Sequence, residues 1–402
     1  MSKTVVLAYS GGLDTSVCVR WMAQRGYRVV AFMANVGQSE PVAPLIRRAK
    51  IAGAAAVVVR DLREEFARDY VLPSLKAHAI YEDKYLLATA LSRPLIAKHL
   101  VEVAHEHRAA AVGHGCTGKG NDQVRFEVTV RALDPSLEIL APVREWEFRS
   151  REEEVAYAQR HGIPISITSK SPYSIDQNLW GVSVEAGALE DPWQEPPRDS
   201  YQWLRSPEQA PDRPAILTVD VERGVPVRLN GRSMSLIKLI AALTKQGSAH
   251  GVGRADLIES RVVGIKSREI YEAPAARILL EAHADLERLV LDRELLHFKQ
   301  AVALKYAELV YYGLWFTPLK AALDAFVNAT QSRVSGSVRV KLFKGACRVI
   351  GRRSPHALYQ RRLATYGAED AFDQRFAQGF IKLWGLSYEG RGATGTGKQR
   401  RG

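Results

Sequence analysis

The sequence predicts an α/β fold, with a parallel sheet covered by helices on both faces and a second, α+β domain after it. Apolar runs alternate with helical stretches as far as Val112, and the first strand passes into a helix through the turn Ser10, Gly11 and Gly12. Around residues 163–167 this alternation ends. Alternating strands and helices are typical of parallel sheets, because each connection must cross the sheet before the next strand can begin.

The elements of the first part follow from the spacing of apolar residues. We predict strands over residues 5–9, 28–34, 55–59 and 109–112. We predict helices over residues 13–25, 44–52, 64–78 and 86–107. Parallel sheets bind ligands at the carboxyl ends of their strands, so the turns after the first, second and fourth strands are candidate sites.

The second part starts from a proline-rich stretch, residues 191–214, which we predict to be an ordered loop. Strands over 215–222 and 225–230 and a helix over 233–246 follow it. A short amphipathic stretch, 373–384, could dock on a neighbouring subunit, and it precedes a Gly-rich basic tail that begins at Gly390. We therefore divide the chain into residues 1–165, 166–360 and 361–402.

Bulk composition limits the class of protein. The chain has 402 residues, 46% hydrophobic and 25% charged, which is typical of a soluble globular protein with two domains. No apolar run approaches the roughly 18 residues that span a bilayer, and we see no signal-peptide pattern. Cys18, Cys116 and Cys347 are widely spaced and lack a C-x-x-C motif. We expect a cytoplasmic protein with neither a disulfide framework nor a zinc ribbon.

The net charge of +12 raises the possibility of nucleic acid as a partner. Part of the excess lies in the basic tail, and elsewhere Lys and Arg alternate with Glu and Asp. A basic surface serves ATP, pyrophosphate and acidic amino acids equally well. We therefore expect small anionic ligands rather than nucleic acid.

The turn in residues 8–16, AYSGGLDTS, predicts a phosphate site. A helix that starts directly after a strand directs free backbone N–H groups and the positive end of its dipole toward one point. The two glycines allow close approach of an anion, and Ser10, Thr15 and Ser16 add hydroxyl donors. The alternative is an ordinary turn in which Asp14 or Thr15 caps the helix.

A second glycine-rich loop, GHGCTGKGND, spans residues 113–122. It partly matches a dinucleotide fingerprint and a P-loop, but it follows the fourth strand rather than the first, and Gly120 stands where a P-loop has Ser or Thr. A third interpretation uses the whole loop to bind a zwitterionic amino acid, with Asp122 for an ammonium group and Arg125 for a carboxylate. Equally, Asp122 could cap a turn while Arg125 pairs with Glu127.

Taken together, these motifs resemble known sequences. SGGLDTS resembles the PP-loop of ATP pyrophosphatases, which split ATP between its α and β phosphates. The resemblance to the argininosuccinate synthase family covers residues 3–360, in that family's order. It rests on YEDKYLL (81–87), RPLIAK (93–98), GKGNDQVRFE (118–127), HGVGR (250–254) and KSREIYEAP (266–274).

The resemblance implies roles for individual residues. For ATP it implies Ala8, Tyr9, Ser10, Gly11, Gly12, Leu13, Asp14, Thr15, Ser16, Ala34 and Gly115. For L-aspartate it implies Thr117, Asn121 and Asp122. For L-citrulline it implies Tyr85, Asn121, Arg125, Ser174, Ser183, Glu259 and Tyr271. The catalytic residues stay unknown, with Asp14 and Asp122 as candidates.

The same resemblance implies an architecture and a reaction. The fold would be a PP-loop domain of the adenine nucleotide alpha hydrolase-like type, then a synthetase domain and a C-terminal helix that assembles a homotetramer. ATP with Mg²⁺ would be a co-substrate, with no prosthetic group and no metal-binding residues. The reaction would join citrulline and aspartate through a citrulline-adenylate intermediate. The alternative is a tRNA-modifying PP-loop enzyme, although the paired cysteines of its sulfur-transfer members are absent.

One departure affects the citrulline site. Where the family has LGTSLARP, with its Ser contacting citrulline, this chain reads LATALSRP and places Ala90 at that position. Ser92 lies two residues later, about 200° around a helix, so we do not expect its hydroxyl to replace the missing citrulline contact. The lost hydrogen bond predicts weaker citrulline binding, by roughly 0.5–1.5 kcal/mol.

Overall fold

A five-stranded parallel sheet forms the first part of the computed structural model, which describes residues 2–164 and 173–389. The strand order is β3-β2-β1-β4-β5, with β1 in the centre. Its strands are β1 (Thr4–Ala8), β2 (Arg28–Asn35), β3 (Ala56–Asp61), β4 (Ala111–Gly113) and β5 (Glu138–Leu140). The predicted α/β class is confirmed. The sequence did not predict β5, because this edge strand has only three residues, the first of them an exposed glutamate, and so lacks the continuous apolar run that marks β4.

Helices cover both faces of this sheet. They are α1 (Leu13–Gln24), α2 (Val42–Ala52), α3 (Arg63–Glu65), α4 (Leu72–Ala77), α5 (Ala88–Glu106), α6 (Asp122–Leu133), α7 (Pro142–Glu145) and α8 (Arg151–Arg160). A π-helical turn, Phe66–Val71, joins α3 to α4. Val5 and Leu7 of β1 pack among residues of α1, α2 and α8, whereas Val6 packs toward α5. This alternation is what a strand buried on both faces requires.

Two antiparallel sheets follow. The strands of one, ordered β11-β12-β7-β6, are β6 (Ser174–Gln177), β7 (Val182–Glu185), β11 (Arg254–Ser260) and β12 (Lys266–Glu272). The strands of the other, ordered β10-β9-β8-β13-β14, are β8 (Ala215–Glu222), β9 (Val225–Leu229), β10 (Arg232–Ser233), β13 (Gly336–Phe343) and β14 (Ala346–Arg353). The helices are α9 (Leu236–Ala249), α10 (Pro274–Val290), α11 (Arg293–Tyr311) and α12 (Pro318–Thr330). Short 3₁₀ turns span Gly187–Glu190, Arg198–Ser200 and Gln331–Arg333.

The proline-rich stretch 191–214 is an ordered loop, as predicted. Apart from the turn Arg198–Ser200 it contains no regular element. The buried carboxylate of Glu272 accepts hydrogen bonds from the backbone N–H groups of Gln202, Trp203 and Leu204, at 2.7, 2.9 and 3.0 Å. The carboxylate of Glu272, a residue of β12, therefore satisfies three backbone N–H groups of a loop that forms no sheet hydrogen bonds.

The chain from Ala357 onward forms a second compact unit. It contains α13 (Arg361–Ala364), α14 (Arg375–Gly385) and a 3₁₀ turn, Leu386–Tyr388. The predicted amphipathic stretch is helical, and Phe380 stacks on Trp384 with ring centroids 5.6 Å apart. The basic tail lies outside the described residues, as does part of the predicted change of pattern at 163–167. None of the helices described in the structure is long and apolar enough to cross a membrane.

Candidate functional site

A cavity of about 610 Å³ lies at the carboxyl ends of β1, β2 and β4. The turn after β1 contributes Ser10 and Gly12, and the turn after β4 contributes Gly115 and Thr117. Strands β6, β7, β11 and β12 of the second part form the opposite wall. The cavity therefore occupies the strand edge that the alternation of strands and helices predicts, and its volume suits small ligands.

The turn after β1 is shaped to receive an anion. Gly11 has φ +85°, and a Cβ built there would lie 2.4 Å from a methyl group of Leu45, so no larger residue fits without rearrangement. Gly12 is the N-cap residue of α1, and no described side chain caps that helix. The alternative in which Asp14 or Thr15 caps the helix is therefore wrong. The uncapped N-terminus directs its N–H groups and dipole to one side of the turn.

The predicted ATP residues divide into two groups. Eight line the cavity: Ala8, Tyr9, Ser10, Gly12, Asp14, Thr15, Ala34 and Gly115. Gly11, Leu13 and Ser16 do not line it. Ser16 is buried, donates to the Gly12 carbonyl at 2.7 Å and lies 3.1 Å from the Tyr9 hydroxyl, so it shapes the turn.

Gly115 brings the second glycine loop against the first turn. A Cβ at Gly115 would lie 2.9 Å from Thr15 Cγ2. The two motifs, about a hundred residues apart in the sequence, thus share one wall of the cavity. This close approach explains the glycine better than a dinucleotide fingerprint does.

Two arginines hold the carboxylate of Asp122. Arg93 Nε donates to Oδ2 at 2.9 Å, and Arg125 Nη1 donates to Oδ1 at 3.0 Å. Arg93 also binds Asp176 at 2.5 Å. Burial opposes ionisation of Asp122, yet the charges of Arg93 and Arg125 outweigh it and lower the pKa of Asp122. A carboxylate in this state is a poor proton acceptor and a good fixed negative charge.

The position of Arg125 settles one open alternative. It belongs to α6 rather than to the glycine loop, and it pairs with Asp122. Glu127 pairs instead with His114 at 3.2 Å and with Arg144 at 2.7 Å. The predicted alternative, an Arg125–Glu127 ion pair, is therefore wrong.

Arg125 keeps one donor unsatisfied. It is 3% exposed, its Nε donates to the Tyr311 carbonyl at 2.9 Å, and its guanidinium lies 4.9 Å from the centroid of the Tyr311 ring. Within the described part of the chain, Arg125 Nη2 has no hydrogen-bond partner. Because an unpaired buried donor is costly, this nitrogen indicates an anionic ligand in the cavity.

The structure brings all the predicted amino-acid ligands to the same cavity. Lining residues include Tyr85, Thr117, Asn121, Asp122, Arg125, Ser174, Ser183, Glu259 and Tyr271. Tyr85 stacks on Tyr271 with ring centroids 4.0 Å apart. Asn121 donates to the Tyr311 hydroxyl at 2.8 Å and accepts from the backbone of Val262 at 2.8 Å, which fixes its orientation.

Ala90 lies behind the cavity rather than in its wall. It is 0% exposed, and its backbone N–H donates to the Tyr85 hydroxyl at 3.1 Å. Ser92 is also buried and donates to the Thr89 carbonyl at 2.9 Å. Thr89, by contrast, lines the cavity, and its hydroxyl lies 2.9 Å from Ser183 Oγ. A hydroxyl therefore remains at this side of the site, one residue before Ala90.

Several cavity residues were missed by sequence reasoning. They are Thr89, Arg93, Asp176, Glu185, Arg261 and Glu269. Arg261 Nη2 pairs with Glu269 at 3.1 Å and also with Glu185. Burial, and then the charge of Glu269, raises the pKa of Glu185 to about 6. Arg93 and Glu269 lie inside RPLIAK and KSREIYEAP, so the motifs were visible, but only the fold shows that these charges converge.

The first strand of the parallel sheet passes through an uncapped glycine turn into a helix, and a cavity lies at that turn. This arrangement defines the class of PP-loop nucleotide-binding proteins. Residues 4–164 match the family described as "Arginosuccinate synthase N-terminal HUP domain", and residues 173–390 match "Arginosuccinate synthase C-terminal domain". The chain belongs to the argininosuccinate synthase family.

Relatives agree with this assignment over nearly the whole chain. Argininosuccinate synthase of Aquifex aeolicus is 56% identical, over 98% of this chain and 99% of the relative. That of Chlorobium phaeobacteroides is 55% identical, over 96% of each. A 4-thiouridine synthetase–RNA complex with bound ATP is 18% identical over 40% of this chain and 41% of its own, with a TM-score of 0.29. That likeness is too weak to support an argument.

Proposed function

We propose that this chain catalyses the ATP-dependent ligation of L-citrulline and L-aspartate to argininosuccinate, with release of AMP and pyrophosphate. The observation that carries the proposal is one cavity that joins an anion-binding turn to a pocket with an unpaired guanidinium nitrogen. Membership of the argininosuccinate synthase family supports it independently. The tRNA-modifying alternative gains no comparable support.

ATP binds at the turn after β1. Ser10, Thr15 and the N–H groups at the start of α1 receive its phosphates, and Ala34 and Gly115 border the nucleotide. Gly11, Leu13 and Ser16 support the turn from behind. The positive end of α1 stabilises the negative charge that grows on pyrophosphate as it leaves.

Residues beside the turn suit the Mg²⁺ ion that accompanies ATP. Asp14 lines the cavity. Burial raises the pKa of Glu154 to about 8, and the charge of Asp14 and a side-chain hydrogen bond with Asp14 add to this shift. Among the described residues, the buried Glu154 Oε2 has no hydrogen-bond partner. Carboxylate oxygens are ligands that Mg²⁺ prefers, so Asp14 would hold the ion, which would neutralise the phosphates, while Glu154 lies behind Asp14 and outside the cavity lining.

The two amino acids bind at the other end of the cavity. Arg125 Nη2 receives the α-carboxylate of citrulline, with Tyr85, Asn121, Ser174, Ser183, Glu259 and Tyr271 around it. Aspartate binds to Thr117, Asn121 and Asp122, and its ammonium group faces the fixed charge of Asp122. Asp122 therefore serves as an ammonium ligand rather than as the base.

The chemistry then proceeds in two displacements. The ureido oxygen of citrulline attacks the α-phosphorus of ATP, forming a phosphorus–oxygen bond while the bond to pyrophosphate breaks. The α-amine of aspartate, after losing a proton, attacks the ureido carbon, and AMP leaves with that oxygen. The protein contributes mainly by positioning the reactants and by stabilising charge.

Pyrophosphate release with each amino acid omitted in turn tests this proposal. We expect full turnover to need citrulline, aspartate and ATP together, with argininosuccinate and AMP formed in equal amounts. Release that is independent of citrulline would overturn the assignment. Release of AMP with tRNA but not with the two amino acids would support the alternative instead.

We also propose a homotetramer held by the C-terminal segment, three domains over residues 1–165, 166–360 and 361–402, and a cytoplasmic location. Support for the assembly comes from α14, which exposes Phe376, Phe380, Ile381 and Trp384. Such a face is unusual for an unpartnered helix. Light scattering on the wild-type chain and on Phe380→Glu tests the assembly. We expect the wild type to have the mass of a tetramer and the variant to have a lower mass. A monomeric wild-type chain would overturn it.

A further inference from the structure

A buried hydrogen-bonded cluster lies in the cavity wall formed by β11 and β12. The Tyr271 hydroxyl lies 2.5 Å from Glu259 Oε2 and 2.8 Å from Glu269 Oε2. Tyr311 donates to the other oxygen of Glu259, and Asn121 Nδ2 donates to the Tyr311 oxygen at 2.8 Å. Glu259 is 1% exposed and Tyr271 is also buried. The protons of this cluster can therefore be counted from its own members.

That count leaves one contact without a proton. A phenol carries a single O–H proton, and the proton of Tyr311 is used by Glu259. The proton of Tyr271 serves either Glu259 or Glu269, but both carboxylates lie within hydrogen-bond distance of its oxygen. Two ionised carboxylates meeting at one oxygen would also repel each other. Glu259 and Glu269 therefore share one additional proton through Tyr271.

The surroundings favour keeping that proton on the pair. Burial, and then the charge of Glu269, raises the pKa of Glu259 to about 7, although the hydrogen bonds of Tyr271 and Tyr311 and the charge of Arg125 oppose the shift. Arg261 binds Glu269 at 3.1 Å and keeps it facing Tyr271. The titratable and charged groups around the pair are Tyr271 on β12, Tyr311 on α11, Tyr85 before α5, Arg125 on α6, and Arg261 with Glu185 beyond Glu269.

The position of the pair fits one group of the substrate. An α-amino acid carries its ammonium and carboxylate groups on the same carbon, so both must bind close together. Arg125 lies over the Tyr311 ring, and Tyr311 bonds to Glu259, which places the pair beside the carboxylate site. Asp122 is already assigned to the ammonium group of aspartate, and no described arginine forms an ion pair with Glu259. Glu259 is thus the carboxylate available to the ammonium group of citrulline.

We propose that Glu269 is a positioning residue of the citrulline subsite, sharing one proton with Glu259 through Tyr271 that leaves for solvent when the α-ammonium group of citrulline binds. The inference rests on the proposed function, because it takes citrulline as the ligand. On binding, the pair gains a second negative charge and the ammonium group supplies the compensating positive charge. The apparent affinity for citrulline therefore rises with pH until the free pair is ionised, and then levels off.

Titration calorimetry of the full enzyme tests this proposal. Citrulline is titrated in the presence of a non-hydrolysable ATP analogue, without aspartate, in two buffers of different ionisation enthalpy. For the wild type we expect release of about one proton per citrulline at pH 6 and close to none at pH 8.5. The analogue 5-ureidopentanoate, which lacks the α-amine, should bind more weakly and release no proton at either pH.

Two glutamate variants separate the role of Glu269 from that of its arginine partner. Glu269→Gln should release less than about half a proton at pH 6 and should flatten the pH dependence of the citrulline KM, since the second carboxylate is gone. Glu185→Gln removes a carboxylate from the same Arg261 but leaves both contacts of Tyr271. It should therefore still release a proton at pH 6, and more of one than Glu269→Gln releases. If Glu269→Gln folds poorly, Tyr271→Phe replaces it as the test variant, because it removes the oxygen through which Glu259 and Glu269 share the proton.

The outcomes distinguish this inference from the function on which it rests. Citrulline binding by the wild type at pH 6 without proton release would overturn the inference while leaving the ligase assignment intact. Equal proton release by Glu269→Gln and the wild type would also overturn it. An enzyme that neither binds citrulline nor needs it for pyrophosphate release would overturn the proposed function, and this inference with it.

Discussion

The two ends of the cavity are built in different ways. At the nucleotide end, a short continuous stretch supplies backbone N–H groups, two glycines and hydroxyl groups. At the amino-acid end, charged side chains from α5, α6, β6, β7 and β12 meet in ion pairs such as Arg93 with Asp122 and Asp176. The first end depends on the shape of one turn, and the second depends on long-range packing.

This difference determines how each end tolerates change. A site made of backbone donors shares its charge over many weak contacts, so one lost hydroxyl has a limited effect. A buried set of paired charges loses much more when one partner is removed, because the remaining charges stay buried. We therefore expect the largest effect of a substitution at the amino-acid end. The predictions below run from the largest expected effect to the smallest.

The largest effect should come from Arg125→Gln. The variant removes the donor for the citrulline carboxylate and one of the two partners of Asp122. We expect kcat/KM for citrulline to fall on the order of 100-fold or more, while the KM for ATP changes little. Steady-state kinetics with each substrate varied in turn measure both values.

Arg144→Gln is the matched control for Arg125→Gln. Arg144 binds Gln123 and Glu127 on α6 but does not line the cavity. Its loss should change kcat/KM for citrulline by less than about threefold, as a partly exposed ion pair contributes little. Equal losses for the two variants would show that the kinetics reflect the packing of α6 rather than a carboxylate site at Arg125.

The largest effect at the nucleotide end should come from Gly11→Ala. The added Cβ combines a left-handed φ of +85° with a 2.4 Å approach to Leu45. We expect a loss of about 2–4 kcal/mol in the free energy of unfolding, together with a raised KM for ATP. Urea denaturation and ATP kinetics measure the two effects.

Gly26→Ala separates backbone strain from crowding. Gly26 has a similar φ of +82°, but nothing lies within 4 Å of a Cβ built there. This variant should lose only about 1 kcal/mol and should keep its KM for ATP. If both variants lost the same stability and kept the same KM for ATP, the crowding at Leu45 would be irrelevant to the turn.

The contrast between the two ends also explains what could be predicted from the sequence. The strand–turn–helix around Ser10 to Thr15 was predictable because its physics is local: a strand, two glycines and a helix start in one short stretch. The convergence of Arg93, Asp176 and Glu269 was not, since it depends on how β6 and β12 pair with β7. At Ala90 the motif located a difference from the family, but only the fold shows that Thr89 faces the cavity there.

A smaller effect should follow from Thr89→Val, which removes the hydroxyl but keeps the shape of the side chain. The hydroxyl lies 2.9 Å from Ser183 Oγ in the wall of the citrulline pocket. We expect the citrulline KM to rise about three- to tenfold, the effect of one neutral hydrogen bond. Thr89→Ser keeps the hydroxyl and should stay close to the wild type. An unchanged KM in Thr89→Val would remove Thr89 from the site.

The smallest effect on citrulline should come from Ala90→Ser, which restores the residue that the family has at this position. Its sequence position alone predicts tighter binding by one hydrogen bond, whereas its burial behind the cavity predicts no gain. We expect the citrulline KM to change by less than about twofold and the melting temperature to fall slightly, because the new hydroxyl enters an apolar cluster. A citrulline KM several-fold lower than that of the wild type would contradict this. It would mean that the start of α5 turns toward the ligand when citrulline binds, and that the amino-acid end is less rigid than its ion pairs indicate.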